Sequence, residues 1–159
     1  MERMSEIIDL TTPTSSFTWQ NLGPYHRETV DYPDFAHRVC YHMHRYPEYR
    51  GVMICGTGIG MAMVANRHPH VRCAVVTSVE MVEMARRHND ANAIAIGARI
   101  VGEDTALAIL DAFIHTAYEG GRHDARLAKI NPKQPDPQWD WIIRQDVEND
   151  EEDRASATD

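Results

Sequence analysis

The stretch "GVMICGTGIGMAMVANRHP", residues 51–69, sets a thiol beside a run of glycines. Cys55 closes a short apolar run. Gly56, Gly58 and Gly60 follow at alternate positions, with Thr57 between the first two. A strand feeding a glycine-rich turn and then a helix makes an anion site. Backbone N–H groups point outward, the helix start is partly positive, and glycine lets a ligand come close to the backbone. A thiol in that setting is a candidate thiolate. Such a base could take a proton from carbon while the same N–H groups steady the oxygen that becomes negative. The plainer alternative is that Cys55 is the last buried residue of a strand, as free cysteines often are. Residue types alone leave both open.

Two nucleotide readings fail on detail. A dinucleotide fingerprint counted from Gly56 and Gly58 needs Gly or Ala where the chain has Met61, and a P-loop needs a lysine that this turn lacks. Two other clusters carry chemistry. In "RRHNDAN", residues 86–92, His88 ends a helix and Asn89 and Asp90 follow. The helix dipole alone favours a histidine there. In "EGGRHDARLAKI", Arg122 and Arg126 are four residues apart, with His123 next to the first. That spacing puts both arginines on one helical face, where they suit a phosphate or simply form a solvated basic surface. His37, His42 and His44 lack the spacing of metal ligands, and no HExxH accompanies them, so no metal is expected. Cys40, Cys55 and Cys73 form no CxxC pair and are odd in number, which argues against a disulfide framework or a thiolate zinc site.

These groups need elements to position them. Residues 5–30 are rich in turn formers and read as loop. From Asp34, Phe35, Val39, Met43 and Tyr46 recur at helical spacing until Pro47. Then come the strand "GVMIC", a short helix "GMAMVANRH", a strand "VRCAVVT", a helix "SVEMVEMARRHN" with Ser78 as N-cap, and a strand "AIAIG". A long helix, "GEDTALAILDAFIHTAYEGG", follows with Leu107, Leu110, Phe113 and Ile114 on one face and Gly120 and Gly121 as its stop. Strands alternating with helices predict an α/β fold with a parallel sheet, helices on both faces, and a ligand beyond the carboxyl ends of the strands.

A chain of 159 residues suits one domain, expected over residues 1–131, with a C-terminal extension over 132–159. The net charge of −8 lies mostly in "DVENDEEDRASATD", whose seven acidic residues against one arginine give −6 and predict a disordered tail. The rest is close to neutral and offers no case for nucleic acid. No apolar run approaches the roughly 20 residues of a membrane span, and the first ten residues lack a signal core. A soluble, cytoplasmic protein without a membrane partner is expected.

Taken together and in order, "DYPDFA", "ICGTGIGM", "VAN", "RRHNDANAIAIGARIVG" and "EGGRHDAR" resemble the ribose-5-phosphate isomerase B / galactose-6-phosphate isomerase family over roughly residues 22–130. The resemblance implies a three-layer Rossmann-like fold. It also implies aldose–ketose isomerisation of a sugar phosphate, ribose 5-phosphate foremost, through an enediolate and without a metal or other cofactor. Cys55 matches the proton-moving base of the family's cysteine branch. A sister branch places a glutamate where this chain has Met61. Gly56, Thr57, Gly58 and Gly60 match the loop that holds the enediolate oxygens. His88 matches the group that helps open the sugar ring, and Asn89 its neighbour. Arg99, Arg122 and Arg126 match phosphate contacts, with His123 beside them, and all are expected at one phosphate end of one pocket. Family members are dimers or dimers of dimers whose sites draw on both subunits, so a homodimer or homotetramer is expected.

The sequence departs from the family pattern in one large respect. The family opens with a mid-sheet strand and a G-x-D-H-x-G loop whose Asp and His face the substrate, and no such segment is legible here. Either "EIIDL" substitutes for that strand, or the recorded chain starts late, or the protein is a sugar-phosphate-binding or partner subunit that has lost activity. A smaller departure is Thr77 and Ser78 where relatives often carry His-Asp.

Overall fold

The structure is a computed structural model that describes residues 18–24 and 29–130. Its frame is the sequence Ala-Ile-Ala-Ile-Gly of β3 (Ala93–Gly97), every residue of which is buried. Successive side chains of a strand point to opposite faces, so this sequence gives the sheet a small-residue face and a bulky face. β3 pairs in parallel with β1 (Gly51–Cys55) on one side and with the short β2 (Cys73–Val75) on the other, giving the order β1-β3-β2. The register sets Cys55 opposite Gly97, so both strands deliver their carboxyl ends to the same edge.

Two cores follow from the two faces. Against Ala93 and Ala95 pack α1 (Tyr32–Arg45) and α2 (Ile59–Ala65), through Ala36, Cys40, Met43, Met61, Ala62 and Ala65. Against Ile94 and Ile96 pack α3 (Val79–Asn89) and α4 (Glu103–His115), through Val82, Ile109, Leu110 and Phe113. Each fully buried Ile or Phe there contributes about 1.5–3 kcal/mol. The expected parallel sheet with helices on both faces is therefore present. Trp19, in a stretch read as loop, packs on the isoleucine-face core beside Val52 and Ile54. Among the described residues no helix is long and apolar enough to cross a membrane.

Several boundaries differ from the sequence expectation, each for a visible reason. α1 begins at Tyr32, two residues early, because a proline fits the first turn of a helix. α2 stops at Ala65 and β2 starts at Cys73 because Asn66 leaves the helix to act as a strand partner. Its side chain accepts from Cys73 N (2.9 Å) and donates to Cys73 O (2.8 Å). Ser78 caps α3 as expected, its Oγ accepting from Met81 N. The largest difference is in α4, which ends at His115 rather than at Gly120 and Gly121. Arg50 donates to the last-turn carbonyls of Phe113 (2.5 Å) and Ile114 (2.7 Å), and the buried Arg86 donates to Thr116 O. These arginines satisfy the helix end, and residues 116–120 then run without regular structure to a 3₁₀ turn (Gly121–His123) and α5 (Asp124–Leu127). Ile109, which the sequence reading did not single out, is fully buried on α4, whereas Leu107 and Ile114 are half-buried. "EIIDL" and the C-terminal extension lie outside the described residues.

Candidate active site

The carboxyl end of the sheet carries Cys55 and its glycine loop. The loop is held by contacts to β3 and the turn after it. Ala98 N donates to Cys55 O (2.8 Å) and Arg99 N to Gly56 O (3.0 Å). Gly58 adopts φ +79°, a left-handed conformation that glycine takes without strain, and its α-carbon sits on the backbone of Ala95 and Ile96. From there Gly58 N–H donates to Cys55 Sγ at 3.2 Å. Thr57 is exposed, and its Oγ1 accepts from Ile59 N at 3.4 Å. The Arg99 guanidinium lies alongside Gly56. Gly60 backs onto the Tyr32 ring of α1.

The three cysteines separate chemically. Burial pushes the Cys40 and Cys73 thiols up to about 12. Both are packed in or against the alanine-face core. Cys55 is the one that receives a loop N–H.

The second group lies at the opposite end of the sheet. α3 runs back along the strands, so His88 and Asn89, in its last turn, sit near the start of β3. The Asp90 cap, in a left-handed conformation (φ +42°), is held by Arg72 (2.7 Å) and Arg86 (3.0 Å). The chain after α4 returns here, with Glu119 N donating to Arg87 O. The His88 and His123 rings stack at 4.5 Å and 12°. Glu119 Oε2 lies 3.8 Å from His88 Nε2 and 3.9 Å from His123 Nε2. Arg122 Nε donates to His123 Nε2 at 3.3 Å. Arg122 and Arg126 are exposed beside the stack. Burial first, then the charges of His88, Arg122 and Arg126, holds His123 below the usual histidine range, against Glu119.

His88, Glu119 and His123 bring three donor atoms within 4.8 Å, a set with metal-ligand character. The Arg122 hydrogen bond occupies the Nε2 lone pair that a metal would use, and two arginines stand alongside. Glu119 was not among the residues singled out from sequence; two residues ahead of the 3₁₀ turn, it reads only as part of a motif.

Within one chain the arginines fall at two places: Arg99 lies at the Cys55 end, and Arg122 and Arg126 at the His88 end. The length of β3 separates the ends, roughly 13 Å at about 3.3 Å per residue. A cleft of about 600 Å³ between α3 and α4 reaches Glu119 but none of the Cys55 loop.

Comparison with known proteins bears directly on this geometry. The profile of the ribose/galactose isomerase family matches residues 1–130. Ribose-5-phosphate isomerase B of Escherichia coli is 37% identical over 130 residues, 82% of this chain and 79% of that one. Among solved structures, ribose-5-phosphate isomerase B of Clostridium thermocellum is 45% identical with a TM-score of 0.66, over 68% of this chain and 73% of that one. The Mycoplasma genitalium enzyme of the same name, solved with bound ribulose-5-phosphate, is 38% identical with a TM-score of 0.66, over 69% of this chain and 73% of that one.

Proposed function

The chain belongs to the ribose/galactose isomerase family and is a sugar-phosphate isomerase; from that premise we propose that it interconverts ribose 5-phosphate and ribulose 5-phosphate, with Cys55 as the base. The observation that carries this reading is the hydrogen bond from Gly58 N–H to Cys55 Sγ, inside the glycine loop at the carboxyl end of the sheet. The ribulose-5-phosphate bound to the Mycoplasma genitalium relative supports the choice of sugar.

The Cys55 thiolate takes the proton from C2 of the open-chain aldose, and the C–H electrons form the C1–C2 double bond of an enediolate. The negative oxygen is met by the loop N–H groups of Gly56 and Gly60, while Gly58 N–H holds the sulfur. The thiol then returns the proton to C1. The hydroxyl proton that must pass from the oxygen on C2 to that on C1 has the Thr57 hydroxyl as its route. Arg99, beside Gly56, adds positive charge near the developing oxyanion. His88 assists ring opening, Asn89 lies beside it, and Arg122, Arg126 and His123 hold phosphate. Preorganised donors and a placed base are each capable of about 100-fold effects or more.

A pentose phosphate is roughly 8 Å long at little more than 1 Å of advance per bond, too short to bridge the two ends of one sheet. On this reading a complete site takes Cys55 from one copy and His88 from another, as a homodimer with shared sites would provide. The test is turnover of ribose 5-phosphate by the purified protein beside Cys55→Ala. Activity that collapses in the variant supports the reading. A wild-type protein inert toward ribose 5-phosphate but active on a hexose phosphate moves the substrate. Full activity in Cys55→Ala removes the cysteine base.

A further inference from the structure

We propose that Arg122 is a positioning residue as well as a phosphate ligand: its Nε–H fixes His123 as the neutral tautomer protonated on Nδ1, and that ring is the platform for His88. The consequence for turnover rests on the isomerase reading above; the tautomer does not. A guanidinium carries donors only. With Arg122 Nε 3.3 Å from His123 Nε2, that nitrogen must be the acceptor and so carries no proton. The His123 ring is then neutral.

Two consequences follow for its neighbours. Glu119 Oε2, 3.9 Å from the same nitrogen, faces an acceptor and gains no hydrogen bond there, so its charge is left to His88 at 3.8 Å. His88 also stacks on a neutral ring, at 4.5 Å and 12°. The depressed proton affinity of buried His123 agrees in direction. The guanidinium is a rigid planar fork. With Nε committed to His123, its two terminal amino groups remain to meet a phosphate. One side chain thus links the phosphate end of the substrate to the orientation of the ring-opening histidine.

The test compares wild type with Arg122→Lys, which keeps the positive charge but has no in-plane fork. Long-range ¹H–¹⁵N correlation spectra of the histidine rings report the tautomer directly, and circular dichroism checks the fold. Wild-type His123 is expected as the Nδ1–H tautomer, and Arg122→Lys as a mixture of tautomers. In the variant kcat falls about tenfold, as for loss of a hydrogen bond to a charged group, beside the rise in KM expected from the lost phosphate contact. Wild-type His123 protonated on Nε2, or a tautomer unchanged in Arg122→Lys, overturns the proposal. A rise in KM with kcat intact overturns it too, since Arg122 would then only grip phosphate. If the wild type turns over no ribose 5-phosphate yet shows the expected spectra, the lock stands and the substrate assignment fails.

Discussion

At the carboxyl end of the sheet the candidate groups are held by backbone: a left-handed Gly58, the carbonyls of Cys55 and Gly56, and the edge of β3. At the amino end they are held by side chains: a histidine stack, Glu119, and the arginines around it. The difference matches the tasks assigned to them. An enediolate oxygen needs donors that do not move as charge develops, and backbone N–H groups in a pinned loop meet that need. A ring-opening group must exchange protons, and imidazoles do so near neutral pH. On the proposed mechanism each end carries half of the chemistry, and a partner copy would bring the halves together.

The sharpest break between the ends is Cys55→Ala. It removes the base and leaves the loop, so kcat for ribose 5-phosphate should fall about 1,000-fold, in the range for loss of a placed general base, with thermal stability close to wild type. A fall of less than tenfold would mean that another group moves the proton.

The separation of the ends is tested by mixing two dead proteins. Cys55→Ala and His88→Ala, co-expressed or exchanged as subunits, pair at random. About half of the dimers are then mixed, each with one intact site, so activity should recover to about a quarter of wild type. No recovery, with mixed dimers demonstrated by mass, would place both groups in the same subunit's site.

The two ends also differed in how readable they were. The Cys55 loop was legible because a strand, a thiol and alternating glycines are contiguous, and their chemistry follows from backbone physics. The second end was legible only as separate motifs, since His88, Glu119 and His123 meet through the chain's return after α4. That return depends on where α4 stops. The glycines pointed to the wrong stop, because the real one is made by Arg50 and Arg86, the first of them far away in sequence. The motifs likewise did not show that, within one chain, Arg99 and Arg122 lie at opposite ends of the sheet. The three strands were readable as apolar runs, although β2 is shorter than its run and the order β1-β3-β2 was not read.

A third region serves neither end and isolates stability from catalysis. His68 is buried between α1 and β2, with His37 Nδ1 2.8 Å from its Nε2 and His70 and His44 nearby. Burial first, then those three histidines, lowers it to about 4. A histidine that binds its proton less readily when folded loses stability as pH falls, because the unfolded chain takes up protons first. The loss runs from the unfolded value near 6.5 down to about 4, and at about 1.4 kcal/mol per unit it amounts to at most about 3.5 kcal/mol. Urea unfolding at pH 7.5 and 4.5 measures it, and His68→Gln should flatten the difference whatever its cost at pH 7.5. An equal pH dependence in the variant would assign the acid sensitivity elsewhere.

The smallest effect probes how the backbone end is pinned. Gly97 closes β3 opposite Cys55, and a Cβ there would stand 2.7 Å from the Thr57 backbone. Backbone cannot yield as a flexible side chain does, so Gly97→Ala must push the loop off β3. The cost expected is about 1–3 kcal/mol, as for other overpacking substitutions. The shift also carries Gly58 N–H away from Cys55 Sγ, so kcat should fall along with stability. Gly102 supplies the control. An alanine Cβ there meets nothing within 4 Å and the backbone is at φ −71°, so Gly102→Ala should leave both quantities unchanged. If Gly97→Ala lowered stability while kcat held, the loop would keep its donors without β3 beneath it. The rigidity assigned to the carboxyl end would then have to come from the clasp of Ala98 and Arg99 on Cys55 and Gly56.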